Sequence, residues 1–387
     1  MGKYEHITFN RNWALDEETV YMLGQCDCIV QAIASMPINP ETHKRLMSVS
    51  LRKGARATTA IEGNTLSEEE VEKIQEGEKL PPSKEYLQIE VQNIIDALNS
   101  IGRDVLMGGM SSAVSCQMIE SFNKAVGQNL GEHFQSVPGK FRQAGHNVVV
   151  GKYRAPDGAD VSGLMERFCD WLRREFQYEE GGQTFSEQII QAIVSHIYIA
   201  MIHPFGDGNG RTARLLEFYI LLRAGLPNIA SHILSNHYND TRQEYYRQLD
   251  LCTKTRSLSQ FIKYAVQGLR DGLTGILNIV QGQQLFIAWQ NHIYETLDSK
   301  KALGKTRAVV KRRRTLALRL PLDKEVEINA LLETDPILMK LYAPLKPLTL
   351  KRDLRELLRL GLVIQKGARY RGQIEIMKRH MPIRKED

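Results

Sequence analysis

The chain has 387 residues, 42% of them hydrophobic and 25% charged, with a formal net charge of +6. This balance excludes a disordered chain, and at about 100–200 residues per domain the length suits two or three domains. The first twenty residues lack a secretory apolar core, the longest nearly apolar run (192–202) is short of the about 18 residues of a membrane span, and the five cysteines are scattered without a CxxC, so the expectation is a cytoplasmic location with no membrane partner, disulfide framework or zinc site.

Residues 16–36 and 43–60 are predicted as helices, with Pro37 and Pro40 interrupting between them. Ser67-Glu68-Glu69-Glu70 starts another, its acidic first turn favoured by the helix dipole. After Pro81-Pro82 a helix resumes over 84–101, with Leu87, Val91, Ile94, Ile95 and Leu98 at helical spacing. A further helix over 112–125 follows the Gly108-Gly109 loop. Residues 138–160 differ. Val148-Val149-Val150 is β-branched, and Gly145, Gly151, Pro156 and Gly158 punctuate it, the pattern of a short hairpin or flap.

Helical patterning returns over 162–176. Thr184-Phe185-Ser186-Glu187 has capping-box form and opens a helix over 188–202, apolar nearly all round and so expected at a domain centre. That helix ends at His203-Pro204. A loop follows, then a helix over 211–224 closed by Gly225 and Pro227. The chain stays mostly helical to about residue 298.

The charge is unevenly placed. Residues 300–387 hold 23 Lys+Arg against 10 Asp+Glu, a net of +13, which leaves −7 for residues 1–299. Such asymmetry often marks a part that meets a polyanion. The densest run, Lys311-Arg312-Arg313-Arg314, reads equally as a polyanion contact or as a solvated helix face or linker. A helix over 336–342, an amphipathic helix over 349–360 stopped by Gly361, and strands over 362–365 and 373–377 around a basic turn (366–369) outline a winged helix. The expected domains are a helical region over 1–110, a core over 111–275, a helical, basic linker over 276–325 and the winged helix over 326–387.

The stretch from His203 to Arg214 carries the chemistry. Gly206, Gly208 and Gly210 let backbone N–H groups turn toward one point at a helix N-terminus, where the dipole favours an anion. Arg211 and Arg214, three apart, can flank that end and suit a polyphosphate. Asp207 could hold Mg²⁺ bridging the phosphates. A neutral His203 could take a proton from an attacking hydroxyl. Together they suggest transfer of a phosphorus-containing group. Competing readings fail: Arg211 and Phe218 stand where an EF-hand needs ligands, no strand precedes the loop as a dinucleotide fold requires, and no Gly-Lys-Ser/Thr follows.

The stretch resembles the signature of the Fic (Fido) family, H-x-F-x-[D/E]-G-N-G-R-x-x-R, matching its eight defined positions with His203, Phe205, Asp207, Gly208, Asn209, Gly210, Arg211 and Arg214. Gly139-Lys140-Phe141-Arg142 with 148–151 is similar to the family's target-docking flap, and the resemblance covers about residues 58–270. It implies a mainly α fold, a Fic-type helical catalytic domain with a small β-hairpin flap, here followed by the winged-helix (α+β) domain. It also implies transfer of AMP from ATP, with Mg²⁺, to a Ser, Thr or Tyr hydroxyl of a target protein and of the chain itself. His203 would be the general base and Asp207 the metal ligand. The backbone around Gly208, Asn209 and Gly210, with Arg211, would hold the α- and β-phosphates, Arg214 would hold the γ-phosphate, and Phe205 would anchor the loop in the core.

Thr58-Thr59-Ala60-Ile61-Glu62-Gly63 resembles the family's inhibitory motif, [S/T]-x-x-x-E-[G/N]. Glu62 would pair with Arg214 and keep it from the γ-phosphate; an ordinary helix end is the plain alternative. Tyr238 and Asn239 are expected near the nucleoside, whereas Tyr245 and Tyr246 are expected as packing. Other readings stay open: phosphate or phosphocholine transfer, removal of AMP, a DNA or protein contact by the basic C-terminal domain, and a homodimer. The target protein is expected along the 139–160 flap, as an added strand.

Overall fold

The computed structural model describes residues 3–108, 113–176, 184–298 and 306–379; the start of the helix expected over 112–125 lies outside them. The chain divides into two compact units, Met1–Asn278 and Ile279–Asp387.

In the first unit, α1 (Glu17–Ser35) starts where Asp16 accepts the Thr19 N–H, and α2 (Pro40–Ala60) where Asn39 accepts the Glu41 N–H. The helix begins earlier than expected because Pro40 occupies the first helical position, where a missing N–H costs nothing. α3 (Glu68–Gln75) carries a complete capping box between Ser67 and Glu70. α4 (Glu85–Leu106) and α5 (Cys116–Val126) bury Val91, Ile94 and Ile119 on their inward faces. The hairpin consists of β1 (Val149–Val150) and β2 (Tyr153–Arg154), antiparallel, with Val149 opposite Arg154. Tyr153 fastens it to the body by donating to the Met201 carbonyl at 2.6 Å.

After α6 (Gly158–Glu175) comes α7 (Phe185–Ile202), capped by Thr184. The Glu187 carboxylate accepts from Arg11 at 2.7 Å instead of returning to Thr184. By length and composition alone the 18 residues of α7 could cross a membrane, but every residue from Ile189 to Ile199 is buried inside the unit. This is the central helix, as the all-round apolar pattern implies. α8 (Asn209–Arg223) packs along it, and α9 (Ile233–Asp240), α10 (Arg242–Thr255) and α11 (Ser259–Asp298) follow.

The second unit holds the end of α11, α12 (Arg307–Arg319), β3 (Val326–Glu327), α13 (Ile328–Thr334), α14 (Pro336–Tyr342), α15 (Pro347–Arg359), β4 (Val363–Lys366), β5 (Arg369–Gly372) and α16 (Glu375–Lys378). The sheet is antiparallel in the order β3-β5-β4, and with its helices it makes a winged helix. Three expectations change here. The strand expected over 373–377 lies earlier, because Gly367 at φ +62° closes a tight turn directly onto Arg369. A third strand, β3, completes the sheet. The stretch expected as a linker supplies core residues, Trp289, Ile293, Leu297, Leu316 and Ala317, that pack with Leu354 and Leu357.

The basic run is neither a linker nor a freely solvated face. Arg312 and Arg313 donate to the two oxygens of Asp353 at 2.6 and 2.8 Å, and Tyr342 donates to the same carboxylate at 3.1 Å. Arg314 donates to Asp298 at 2.6 Å. Asp353 is only 1% exposed, and a carboxylate buried that deeply requires cationic and hydrogen-bonding partners.

Candidate active site

The site forms where α7 ends and α8 begins. His203 closes α7 in the left-handed region, φ 52° and ψ 57°, with its N–H on the Ile199 carbonyl. The turn swings the loop back under the helix, and Phe205 enters the core with no exposed surface. Asn209 holds this shape from below: its side-chain amide donates to the Phe205 carbonyl and its carbonyl accepts the Phe205 N–H, both at 2.8 Å. Gly208, at φ +76°, is the residue before α8 and takes the left-handed conformation that glycine adopts without strain.

Two buried side chains brace the loop from other elements. Asn123 on α5 donates to the Asp207 carbonyl at 3.0 Å and to Thr212 at 3.2 Å, and accepts the Gly139 N–H at 2.8 Å. Arg142 donates to the carbonyls of His203 (2.8 Å), His146 (2.7 Å), Pro156 (3.0 Å) and Ile202 (3.3 Å). A guanidinium over the last carbonyls of α7 also complements the helix dipole. It ties the base of the flap to the residue expected to act as base.

His203 is half-buried. Burial pushes its imidazole down to about 4; Arg142 adds to this, while the Ala200 carbonyl, Glu62 and Asp207 oppose it. The ring is therefore neutral at pH 7. Its Nδ1 lies 3.4 Å from the Ala200 carbonyl, a contact that favours the proton on Nδ1 and leaves the lone pair on Nε2.

Arg214 is 1% exposed on the inner face of α8 and donates to Glu62 Oε1 at 2.5 Å and to the Thr58 carbonyl at 2.9 Å. Its Nε and Nη1 are buried without a hydrogen-bond partner, a cost that a bound anion would remove. Burial opposes the charge on Glu62, yet Arg214, with Arg211 beyond it, holds the carboxyl below its ordinary range. The segment bearing Glu62 leaves α2 through Gly63, at φ +103°. So the helix end and the contact with Arg214 are both present.

Arg211 donates to Glu90 at 2.7 Å and to Asp207 at 3.0 Å. The other oxygen of Glu90 accepts from Asn64 at 2.9 Å, so one α4 carboxylate joins Arg211 to the Glu62 segment. The Asp207 carboxylate also accepts the N–H groups of Gly208 and Gln135. Among the described residues no three acidic, histidine or cysteine side chains cluster as a metal cage. A single partly exposed carboxylate suits Mg²⁺ carried in with polyphosphate oxygens, the usual division of ligands for that ion.

The structure thus brings His203, Asp207, Gly208, Asn209, Gly210, Arg211, Arg214 and Glu62 together. It does not bring Tyr238 to them. That residue is fully buried, donates its hydroxyl to Glu217 at 2.9 Å, and stacks with Tyr245 and Tyr264. Its apolar ring on the inward face of α9 made it core. Asn239 beside it is half-buried. Tyr246, expected as packing only, lies closer to the site: it and Arg242 both donate to the Ile61 carbonyl, next to Glu62. Glu90 and Asn123 escaped sequence reasoning. The one signal was a polar residue on the apolar face of each helix, which usually means only a satisfied core side chain.

The arrangement defines a class: a mainly helical domain whose helix–loop–helix turn gathers glycines, two arginines, a carboxylate and a neutral histidine around an anion site. Residues 113–221 match the model of the Fic/DOC family. A protein adenylyltransferase Fic from Nematostella vectensis is 29% identical over 237 residues, 61% of this chain and 50% of that protein. Protein adenylyltransferase fic-1 from Caenorhabditis elegans is 29% identical over 210 residues, 54% of this chain and 38% of that protein. The chain therefore spans half or less of the length of these relatives. In fold it is similar to a Fic family protein from Desulfovibrio desulfuricans G20, with TM-score 0.57, 18% identity and coverage of 94% of this chain and 98% of that one. It is also similar to C. elegans Fic-1 (residues 134–508 of that protein), with TM-score 0.53, 21% identity and coverage of 68% and 73%.

Proposed function

We propose that this chain is a protein adenylyltransferase that moves AMP from ATP to a hydroxyl of a target protein and of itself, restrained by Glu62. The observation that supports it best is the pairing of a buried, incompletely satisfied Arg214 with a neutral His203 across one glycine loop. Relatives named as adenylyltransferases support the same reading.

In this reading the target hydroxyl gives its proton to Nε2 of His203 while its oxygen bonds to the α-phosphorus. The bond from that phosphorus to the α,β-bridging oxygen breaks, and pyrophosphate leaves with the electron pair. The N–H groups at the start of α8, with Arg211, hold the α- and β-phosphates, and Arg214 orients the γ-phosphate. Asp207 would hold Mg²⁺, which supplies positive charge to the polyphosphate. The protein's contribution is position and charge rather than covalent chemistry. The target would lie along the exposed Val149 and Val150 of the flap.

Glu62 acts in this reading as a stand-in for phosphate oxygen. It takes the guanidinium that the γ-phosphate needs, so ATP binds without its α-phosphorus aligned. The test uses wild type, Glu62→Gly and Glu62→Gly/His203→Ala with ATP labelled at the α- or the γ-phosphate. Label from the α-position alone, strongest in Glu62→Gly and absent in the double variant, is expected. Label from the γ-position would instead mean phosphate transfer.

A DNA contact by the second unit is a second reading. Lys351, Arg352 and Arg355 are exposed on α15, and Lys366 and Arg369 at the tip of the β4–β5 wing. Binding of a labelled duplex should then weaken steeply with salt. Negligible binding at low salt would remove it.

A further inference from the structure

We propose that Cys116 and Cys169 are a dithiol that hydrogen peroxide converts to a disulfide, tying α5 to α6. Their sulfurs lie 3.3 Å apart although 53 positions separate them in sequence, and both are free thiols as the structure stands. A disulfide brings its sulfurs to about 2.05 Å, so a small side-chain rotation closes the gap.

The two cysteines differ in a way that assigns their roles. Cys116 is half-buried and opens α5 directly after the cap Ser115. A helix N-terminus stabilises a thiolate. The contact with Cys169 acts in the same direction and holds the Cys116 thiol below its ordinary range, against burial and the carboxylates of Glu120, Glu166 and Asp170. Cys169 is 3% exposed, and the same contact with burial pushes its thiol up. Cys116 is thus the attacking thiol and Cys169 the shielded resolving one. Cys26 and Cys252 are buried, and burial raises both to about 12; Cys28 is exposed.

The chemistry balances with peroxide as the oxidant. The Cys116 thiolate attacks one peroxide oxygen, the O–O bond breaks, and hydroxide leaves to become water, so Cys116 becomes a sulfenic acid. The Cys169 sulfur, losing its proton, attacks the Cys116 sulfur, whose S–O bond breaks and releases a second water. Two electrons have passed from the thiols to the peroxide, and an added dithiol returns them by exchange. In a reducing compartment such a pair is a transient sensor rather than a permanent staple. The closed loop contains Asn123, Arg142 and the β1–β2 hairpin, all parts of the scaffold around the loop that starts at His203.

The full chain, reduced and then treated with hydrogen peroxide under non-denaturing conditions, tests this by thiol counting and peptide mass mapping. The expected result is loss of two of the five thiols, a linked pair of peptides containing Cys116 and Cys169 in monomeric protein, and recovery of both thiols with dithiothreitol. Cys169→Ser should leave a sulfenic acid on Cys116 that dimedone traps, and Cys116→Ser should give neither crosslink nor dimedone adduct at Cys169. All five thiols retained in the wild type would overturn the proposal. So would Cys116 accumulating as sulfinic acid without the crosslink, or Cys116 pairing with Cys28.

Discussion

The carboxylate of Glu62 rests on Gly210. A Cβ built at position 210 would fall 2.1 Å from Glu62 Oε1 and 3.1 Å from Arg214 Nη1. The first turn of α8, where an anion gains most from the helix dipole, is therefore already filled by a side-chain carboxylate. The same oxygen binds Arg214 at 2.5 Å.

Removing that carboxylate should activate the protein. Glu62→Gly is expected to raise auto-AMPylation by about 5- to 150-fold, the range of a regulatory coupling of 1–3 kcal/mol. The initial rate of α-labelled ATP incorporation measures it. A rate at or below wild type would show that the ion pair restrains nothing.

Gly210→Ala should behave in the opposite way. The methyl group would displace Glu62 but would stand in the anion site itself, where only a hydrogen leaves room for both groups. Activity should fall, ATP binding should weaken by about tenfold or more, and Glu62→Gly should not rescue it. Calorimetric ATP titration of the single and double variants decides the matter. Full rescue by the second substitution would mean that the methyl group obstructs Glu62 alone.

His203→Ala should lower transfer by about 10²- to 10⁴-fold, the usual contribution of a positioned base, with ATP affinity nearly unchanged. The pH profile gives a second check. His203 titrates at about 4 instead of 6.5, and only its neutral form accepts a proton. The acid limb of the rate in Glu62→Gly should therefore lie near or below pH 4, since losing Glu62 removes one influence that raises this pKa. A limb at pH 6.5 would mean that the ring is solvated during turnover.

Stability should fall as pH drops from 6.5 to 4. His203 and His232 are both held at about 4 by burial, against 6.5 when free. In that window the unfolded chain binds protons that the folded histidines refuse, so the unfolded state gains. The 5% exposed His232 contributes at most about 3.5 kcal/mol, since each tenfold loss of proton affinity is worth about 1.4 kcal/mol. Urea titrations at pH 7 and pH 5 check this. The difference between them should shrink in His232→Phe, whose ring can take the existing stack on Phe218.

Asp353→Ala should unfold the second unit selectively. It would leave Arg312, Arg313 and Tyr342 without their shared carboxylate, a loss of about 3–5 kcal/mol for a broken buried charge network. Hydrogen exchange should rise in α12, α14 and α15 and stay unchanged in α7 and α8. Equal protection in wild type and variant would show that the arginines are solvated in solution.

The helices of both units were legible because their apolar spacing, caps and glycine stops are local. Boundaries moved where a local rule had two outcomes, as at Pro40, which can end one helix or begin the next. Glu187 had the right spacing for a capping box, but a distant arginine, Arg11, bound it more strongly. The wing slipped by several residues because a tight turn at Gly367 leaves no slack between its strands. The basic run misled for a related reason. Net charge records how many arginines are present, whereas Asp353, some 40 positions away, decides that two of them face inward.

For the site the division is sharper. Sequence alone determined the loop from His203 to Arg214, because anion binding at a helix N-terminus needs glycines, a carboxylate and cations within a few residues of one another. The resemblance of residues 58–63 to the family's inhibitory motif marked Glu62 as a partner for Arg214. Only the tertiary structure decided that Asn123 and Arg142 brace that loop, that Glu90 links Arg211 to Asn64, that Tyr238 is core, and that two distant thiols meet. These contacts join separate helices. A periodic pattern tells which face of a helix is buried, but the residue it meets is set by how the helices cross, and that geometry comes from packing the whole core.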